Sequence, residues 1–338
     1  MYSIPKFTIH EGGETNEGVF EWGNSRDELF ELYYEASDLF YMGELKDAKK
    51  EINNILSKDP YFIEGYNLSG DIELSLGNRT KALTQYQKAT EMGRRIIPDD
   101  FKGHIRWGFT ENRPYLTSLN ALGMFHLNEG NQEKATELFE QLLEYNPDDN
   151  QGIRFIIGDL YFIQNKFTLA KKYYEANLDF PPYLYSYGLL HFSLGNKVKA
   201  ITFFRKAILD NIYISDLLRS KVPLIPYEIW YASSFEMPET AYDYIDIMIF
   251  KWLEFPEALD ILQYLHSVHP SHAEINEVYL LKNELYFTNS GSYDEGVTEM
   301  RNELLESIEE IKADITDKTS KQILESWKDS PYRSNNNF

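Results

Sequence analysis

The sequence contains no cysteine. This absence excludes disulfide bridges, thiolate metal sites and cysteine nucleophiles. Uninterrupted apolar runs of about 18 residues, the length that a membrane-spanning helix needs, are also missing. The most apolar stretch, Tyr244 to Leu253, is interrupted by Asp246 and Lys251. The first residues lack the charged and then apolar layout of a secretory signal peptide. We therefore expect a cytoplasmic protein with no membrane partner.

Positive charge is scarce relative to negative charge. The 338 residues include 33 Lys and Arg against 54 Asp and Glu, which gives a formal net charge of −21. A field of this sign repels phosphate, so nucleic acid is not expected as a partner. Hydrophobic residues make up 43% of the chain, enough to order most of it.

Pairs of helices are predicted by the apolar spacing. One helix is expected over 27–42, ended by Gly43, and the next carries Ala48 and Ile52 on one stripe. The following pair repeats this plan, and the spacing from Ala48 to Ala82 is 34 residues. This is the period of tetratricopeptide repeats.

Five copies of the pattern share the same residue types, and through them the chain resembles the tetratricopeptide-repeat superfamily. The first helix has a small residue at Ala36, Gly70, Gly123, Gly158 and Gly188. The second helix has alanine at Ala48, Ala82, Ala135, Ala170 and Ala200, and a large apolar residue at Ile52, Tyr86, Phe139, Tyr174 and Phe204. Small residues let paired helices approach closely, and large residues fill the gap between pairs. We expect an all-α, right-handed solenoid of antiparallel helix pairs, with five clear and about two degenerate repeats.

The period breaks at several places, which sets the expected domain organisation. The spacing from Ala82 to Ala135 is 53 residues, so about 19 residues are inserted. The expected segments are an irregular N-terminal arm at 1–26 pinned to the first helix by aromatic residues, repeats at 27–212 with a basic insert near 94–113, a loop-rich connection at 213–240, degenerate repeats and a capping helix at 241–330, and a disordered tail at 331–338.

The insert is basic within an acidic chain. It holds Arg94, Arg95, Lys102, His104, Arg106 and Arg113, with Trp107 among them. Arginine forks suit carboxylate or phosphate, and a tryptophan ring offers stacking, so Arg106, Trp107 and Arg113 are candidate ligand-binding residues. Alternatively, the arginines pair with the protein's own carboxylates and Trp107 anchors the insert on the repeats. The sequence leaves both interpretations open.

Residues 105–160 are similar to the suppression-of-tumorigenicity type of tetratricopeptide-repeat protein. The similarity lies in a Trp…Glu…Arg-Pro-Tyr helix start and an Asn-Pro-x-Asp-Asn-Gln-Gly-x-Arg junction. It implies no catalytic role. From the residues alone, Asp149 or Asn150 is expected to cap the following helix, and Arg154 to form a structural pair with Glu111 or Asp149.

The first helix of each repeat lines the concave groove in the superfamily that the chain resembles. The predicted ligand-binding residues on this face are Tyr33, Asn67, Asp71, Asn120, Met124, Phe155, Asp159 and Tyr185. Asparagine can bond a peptide backbone as donor and acceptor, and aromatic rings supply contact area. The aromatic members fit a packed core equally well. Related proteins that grip a chaperone's acidic C-terminus use lysines and asparagines here, and the lysines are missing from this chain.

Catalytic and metal signatures are weak. The H-x-x-H-P-x-H run of His266, His269 and His272 offers three imidazoles, but Pro270 breaks the helix at an expected turn. No phosphate-binding glycine loop or nucleophile elbow occurs. We therefore predict a non-catalytic scaffold for a protein or extended peptide, with no cofactor and no metal. The alternatives are a structural subunit that associates through the aromatic region 211–255 and, least favoured, an enzyme.

Overall fold

The chain is mostly α-helical and divides into two compact units. The computed structural model describes residues 5–12, 15–22, 26–219, 224–288 and 295–332. Unit 1 comprises residues 1–153 and unit 2 comprises residues 154–338. Sixteen α-helices and one three-stranded sheet lie within the described ranges, which confirms the predicted all-α, repeat-based class.

Unit 1 consists of three helix pairs, a β-hairpin and the insert. Its helices are α1 (Asp27–Tyr41), α2 (Leu45–Lys58), α3 (Ile63–Ser75), α4 (Arg79–Arg94), α5 (Arg113–Asn128) and α6 (Gln132–Tyr145), and its strands are β1 (Lys6–His10), β2 (Asn16–Glu21) and β3 (Gly103–His104). The first helix agrees with the predicted 27–42. Each pair packs internally and against the next, and the first helices α1, α3 and α5 also contact one another in that order.

The predicted small-to-large contacts hold these pairs together. A Cβ atom added to Gly70 would lie 2.4 Å from the ring of Tyr86, and one added to Gly123 would lie 2.5 Å from Phe139. Both distances are far inside van der Waals contact, so only glycine lets the second-helix ring pack on the first helix. At the turn between paired helices, Gly77 has a φ of +76°, a conformation that disfavours other residues.

The N-terminal segment differs from the predicted irregular arm. β1 and β2 form an antiparallel hairpin in which Phe7 is opposite Phe20. The hairpin also packs on the insert, while the Trp22 ring lies 5.1 Å from the guanidinium of Arg26 at the start of α1. β2 pairs in parallel with β3, and the ring centroid of Phe7 lies 5.0 Å from that of Phe101. The insert is therefore a platform for the hairpin.

Asn112 connects the hairpin to the start of α5. This side chain is fully buried. It accepts a hydrogen bond from the backbone N–H of Phe20 (3.1 Å) and donates to the carbonyls of Gly18 and Arg106 (both 3.0 Å). One amide thus pairs three buried backbone groups, which would otherwise cost free energy.

Unit 2 contains ten helices within its described residues. They are α7 (Ile157–Ile163), α8 (Phe167–Ala176), α9 (Pro181–Ser193), α10 (Lys197–Asp210), α11 (Ile212–Arg219), α12 (Pro238–Leu253), α13 (Pro256–Leu265), α14 (Ser271–Thr288), α15 (Glu295–Asp314) and α16 (Asp317–Trp327). The segment predicted as a loop-rich connection begins with α11, which packs against α12. Pro223 and the predicted tail beyond residue 332 lie outside the described residues.

The first-helix surface of unit 2 is covered by α12. This helix contacts both α7 and α9. Its Tyr244 hydroxyl accepts hydrogen bonds from Ser186 Oγ on α9 (3.1 Å) and from the indole of Trp252 (2.8 Å). Because α9 also packs on α10 and α8, its residues Pro181 to Phe192 are all buried. The degenerate helix pair therefore fills, from within unit 2, the surface that a regular repeat leaves open.

A buried lysine stabilises the C-terminal half of unit 2. Lys282 Nζ on α14 donates to Glu236 Oε2 (2.7 Å) and to the Leu209 carbonyl (3.1 Å) at the end of α10. Both charged side chains are buried. The cation lies where the helix macrodipole of α10 is negative, which helps to offset its desolvation.

Candidate functional site

The open first-helix surface in unit 1 carries five of the predicted ligand-binding residues. Tyr33 lies on α1, Asn67 and Asp71 lie on α3, and Asn120 and Met124 lie on α5. Asn67 is buried, and the other four are half-buried. Since α3 contacts both α1 and α5, the structure brings these residues onto neighbouring helices of one unit.

Glu64, Asn67 and Asp71 form a stripe on α3, because residues three and four apart share a helix face. Tyr33 on the adjacent α1 lies close to this stripe. Burial raises the pKa of the Tyr33 hydroxyl to about 12, and the negative charges of Glu64 and Asp71 raise it further. The phenol therefore stays protonated over the physiological pH range beside two carboxyl groups.

Asn67 offers a buried oxygen without a partner. The residue is 7% exposed, and its Nδ2 donates to the Pro114 carbonyl at 3.4 Å. A carbonyl oxygen only accepts, so this contact fixes which end of the amide is the NH2 group. The Oδ1 atom of Asn67 is left without a hydrogen-bond partner among the described residues.

Glu64, three residues before Asn67, belongs to the same inner face by its position in the repeat, but it is not among the predicted ligand-binding residues. Its Oε2 atom is buried and has no hydrogen-bond partner among the described residues. Burial raises the pKa of this carboxyl to about 7, against the opposing effects of a backbone hydrogen bond and of Arg26. Two buried acceptors thus lie on one stripe of α3.

Asp71 has a partner within the repeat. Its Oδ1 accepts a hydrogen bond from the Tyr86 hydroxyl at 2.6 Å. Burial raises the pKa of Asp71, and this hydrogen bond partly opposes the rise. The carboxyl group is half-buried, so it remains within reach of a ligand.

The three candidates in unit 2 do not form an open site. Asp159 is 3% exposed and accepts from the Tyr174 hydroxyl at 2.8 Å, and Tyr185 is 0% exposed and donates to the Asn211 carbonyl at 2.8 Å. Phe155 is half-buried and packs on the rings of Phe180 and Phe235. Their placement corrects the prediction, because Tyr244 of α12 packs beside Asp159 and Tyr185, and Phe235 in the segment before α12 packs on Phe155.

The arginines of the insert pair with the protein's own carboxylates. Arg106 donates to Glu17 at 2.7 Å and to Asp148 at 3.1 Å. Arg94 pairs with Asp99 and Arg95 with Glu91 in the same manner. The structure thus favours the second interpretation of the insert over an anion site at Arg106.

Trp107 anchors the insert locally. Its backbone N–H donates to Asn146 Oδ1 at 3.1 Å. The Arg113 guanidinium lies 5.2 Å from the Trp107 ring centroid, and its Nε donates to the Trp107 carbonyl at 3.1 Å. Both side chains are therefore engaged with the insert itself.

The junction after α6 is organised by Asp149, which has a φ of +49°. Its Oδ1 accepts from the backbone N–H of Ile153 at 2.7 Å, at the start of a short 3-10 turn over Ile153–Phe155. The expected cap of the next helix at Asp149 or Asn150 was wrong, because α7 begins later and has Ile156 as its N-cap. In unit 2, the Arg154 guanidinium lies 4.3 Å from the ring centroid of Phe155.

The histidine run does not converge. His266 forms a 2.6 Å hydrogen bond with Ser215, and His272 contacts Asn276. Burial lowers the pKa of His266 to about 3. Across the described ranges, no three His, Asp or Glu side chains are grouped closely enough to hold a metal ion.

A cavity in unit 2 lies beside Lys282 and is lined by Tyr213, Tyr231 and Val278. Its volume is about 30 Å³, room for about two water molecules. Within the described chain, no helix combines the length and apolar character needed to cross a membrane.

Comparison with known proteins identifies the repeats. The family model for the tetratricopeptide repeat matches residues 63–92, 116–149 and 181–209. These segments correspond to the pairs α3–α4, α5–α6 and α9–α10.

Among curated proteins, the chain is 30% identical over 147 residues to Protein O-mannosyl-transferase TMTC1 of Homo sapiens. The aligned region covers 44% of this chain and 15% of that protein. The Mus musculus protein of the same name is 29% identical over 147 residues, 44% of this chain and 14% of that protein. The chain thus spans about 15% of the length of these curated relatives.

Among solved structures, a tetratricopeptide repeat protein from Parabacteroides merdae matches with 17% identity and a TM-score of 0.43, covering 82% of this chain and 99% of that one. YrrB, described as a TPR protein with an unusual peptide-binding site, matches with 18% identity and a TM-score of 0.41, covering 52% and 83%.

Proposed function

We propose that this chain, a member of the tetratricopeptide-repeat superfamily, is a non-catalytic scaffold that holds a protein or extended peptide on the α1–α3–α5 surface of unit 1. One observation carries the proposal: Glu64 Oε2 and Asn67 Oδ1 are buried acceptors without a partner among the described residues. Buried polar atoms in folded proteins are normally paired, and each unpaired one costs free energy. N–H donors of a bound segment would pair them.

The rigidity of the surface supports this role. Its residues lie on helices held by ring-to-glycine packing, as at Gly70 and Gly123. A preformed surface loses little conformational entropy when a flexible segment docks, so more of the contact energy appears as affinity. Asn120 and Met124, both half-buried on α5, extend the surface beyond α3.

The match to the human transferase covers 15% of that protein. Its transferase activity is therefore not part of the proposal.

The test is affinity capture from the source cells with quantitative mass spectrometry. We expect Asn120→Arg/Met124→Arg, which crowds the surface, to lose partners that the wild-type chain retains. Asn53→Arg/Asn54→Arg is the matched control, because both asparagines are exposed on α2 and the added charge is the same. Equal recovery of all partners by both variants would contradict the proposal.

A second candidate function, a structural subunit of an assembly, rests on the outer face of α12. Phe250 is 78% exposed and Leu253 is 55% exposed, and their spacing places them on one side of the helix. Exposed apolar clusters of this kind often mark association sites.

This alternative predicts that Phe250→Glu/Leu253→Glu releases the chain from its assembly, as measured by sedimentation velocity in cell extract. The surface variant Asn120→Arg/Met124→Arg would leave such an assembly intact. An unchanged sedimentation profile for the α12 variant would eliminate the alternative.

A further inference from the structure

Charge is segregated between the two helix layers at the start of unit 1. The first helices α1 and α3 carry five and three acidic residues respectively and no lysine or arginine. The second helices α2 and α4 each carry four basic residues. The layer of first helices, which includes Tyr33, Glu64 and Asp71, is therefore more negative than the layer of second helices. The net charge of the whole chain does not explain this difference between the layers.

The acidic residues of α1 are available to a ligand. Glu31, Glu35 and Asp38 are exposed, and none of them takes part in an ion pair of the described chain. Glu73 on α3 differs, since Lys49 of α2 neutralises it at 2.7 Å. By helical periodicity these three side chains of α1 lie on the far side of the helix from Tyr33, so they add negative charge to the helix without lining the stripe formed by Glu64, Asn67 and Asp71.

The stripe itself consists of acceptors. Glu64 and Asp71 offer carboxylate oxygens, and the Pro114 contact leaves Asn67 with its amide oxygen. The cation whose charge acts on Glu64 is Arg26, which Asp59 already holds in a buried ion pair at 2.7 Å. A ligand group that only donates hydrogen bonds and carries positive charge matches such a set, and lysine and arginine side chains have that character.

We infer that Glu64, Asn67 and Asp71, with the ring of Tyr33 beside them, bind a lysine or arginine side chain, and that the segment held by unit 1 is cationic. This inference rests on the proposed function and names the chemistry of its partner. Carboxylates accept charge-assisted hydrogen bonds from the cation, and a tyrosine ring attracts it through its π face. The exposed acids of α1 add a longer-range attraction that steers the segment toward unit 1.

The state of Glu64 supports the same partner. Burial raises its pKa to about 7, so burial costs the ionised form free energy in the free protein. A cation beside the carboxyl group favours ionisation and removes that cost. An acidic segment would add repulsion from Glu31, Glu35 and Asp38, so it is the outcome that the surface disfavours.

The experiment uses a phage-displayed library of random dodecapeptides selected on the full chain. We expect the selected peptides to be enriched in lysine or arginine. The strongest binder is then synthesised with a fluorophore, alongside a copy in which citrulline replaces arginine and norleucine replaces lysine. Fluorescence anisotropy should show at least about tenfold weaker binding of the neutral copy, as expected for loss of a charge-assisted hydrogen bond.

Three protein variants locate the effect. Glu64→Gln/Asp71→Asn keeps the shape of the stripe and removes its charge, and we expect it to bind the cationic peptide at least about tenfold more weakly. Glu31→Gln/Glu35→Gln alters only exposed positions, so it tests the steering role without a risk to folding. Glu133→Gln/Glu144→Gln on α6 removes the same charge from another exposed face and should bind as the wild type does.

The outcomes separate the inference from the proposed function. Peptides that bind the wild type, compete with one another and lose binding on Asn120→Arg/Met124→Arg, yet show no cationic preference, would overturn the inference and leave the proposed function standing. Equal binding to Glu64→Gln/Asp71→Asn and wild type would also overturn it. Selection of no peptide by the wild-type chain would count against both.

Discussion

At the scale of single residues, the same aspartate–tyrosine contact occurs in both units. Asp71 accepts from the hydroxyl of Tyr86 at 2.6 Å, and Asp159 accepts from that of Tyr174 at 2.8 Å. In each case the aspartate follows the small glycine of the first helix, and the tyrosine packs on that glycine. The hydroxyl therefore reaches across the glycine to the next side chain.

Two other repeats have neither the aspartate nor the tyrosine. Met124 and Leu189 stand where the aspartates stand, and the rings that pack on the preceding glycines are Phe139 and Phe204. An apolar side chain needs no donor, and a phenylalanine offers none. The pairing thus explains why aspartate and tyrosine appear in the same repeats.

We predict that Tyr174→Phe destabilises unit 2 by about 1–3 kcal/mol, because it removes a donor from the buried Asp159. Asp159→Leu/Tyr174→Phe recreates the Leu189 and Phe204 pair and should recover most of the loss. Urea denaturation followed by circular dichroism measures both. A double variant no more stable than the single variant would refute the pairing argument.

Tyr86→Phe is the matched control in unit 1. Asp71 is half-buried, so water can replace the lost hydroxyl. Its effect on the free energy of unfolding should be clearly smaller than that of Tyr174→Phe.

Asp159 also predicts a dependence of stability on pH. Burial raises its pKa from 3.8 to about 7, while the polar contacts with Ser186 and Tyr174 oppose this rise. The native state therefore holds a proton that the unfolded chain releases between about pH 4 and pH 7, so this group's contribution to stability falls as pH rises through that window. Asp159→Asn should remove the contribution.

The measurement is the free energy of unfolding of Asp159→Asn minus that of the wild type, at pH 5 and at pH 8. We expect the difference to shift in favour of the variant at pH 8. Taking the difference cancels other groups, including His266, whose lowered pKa acts in the opposite direction. A difference independent of pH would show that Asp159 does not titrate in this range.

At the scale of elements, the insert and the hairpin form one joint substructure. Neither has a partner in the regular repeat, yet β2 pairs with β3 and Asn112 bonds to both segments. We predict that Asn112→Ala leaves the helix pairs folded and loosens the hairpin, since three buried backbone groups lose their partner.

Hydrogen exchange with mass spectrometry measures this effect. Amide protons of residues 16–21 should exchange about tenfold faster or more in Asn112→Ala, a change equivalent to about 1.4 kcal/mol. Asn128→Ala, at an exposed position of α5, is the control and should not alter the hairpin. Loss of protection throughout α1 to α6 would show instead that Asn112 supports the entire unit.

The helices were predictable because their signals are local. The spacing of Gly70 and Tyr86, or of Gly123 and Phe139, lies within one helix pair, and periodicity alone reveals it. The docking of the hairpin on the insert was not predictable, because Asn16 pairs with Gly103 across 87 residues and no pattern along the chain marks that contact.

The candidate-site residues show the same difference between local signals, which the sequence reveals, and distant contacts, which it does not. The residues on α1, α3 and α5 were assigned to one face by their position in the repeat, and the structure places them on neighbouring helices. Asp159 and Tyr185 occupy equivalent positions, yet Tyr244 of a degenerate repeat covers them. The position of a residue within its repeat predicts which face of the helix it occupies. It does not reveal that a helix distant in the sequence packs on that face.

At the scale of the whole molecule, the net charge of −21 opposes folding through self-repulsion. We predict that raising the NaCl concentration from about 20 mM to about 300 mM increases the thermal midpoint of unfolding, because the screening length falls well below the size of a unit. Differential scanning fluorimetry gives the midpoint. KCl should act as NaCl does at equal ionic strength, and sucrose at equal osmolality should not reproduce the dependence on ionic strength.

The same salt should weaken the binding of a cationic peptide to α1 and α3, since that attraction is screened as well. Stability and affinity would then change in opposite directions over one salt titration. The variant Glu64→Gln/Asp71→Asn separates charge on the binding surface from charge spread over the whole chain. It should reduce the salt dependence of peptide binding and leave the salt dependence of the thermal midpoint nearly unchanged. A midpoint that falls as salt is added would mean that the ion pairs of the fold outweigh the repulsion among its excess carboxylates.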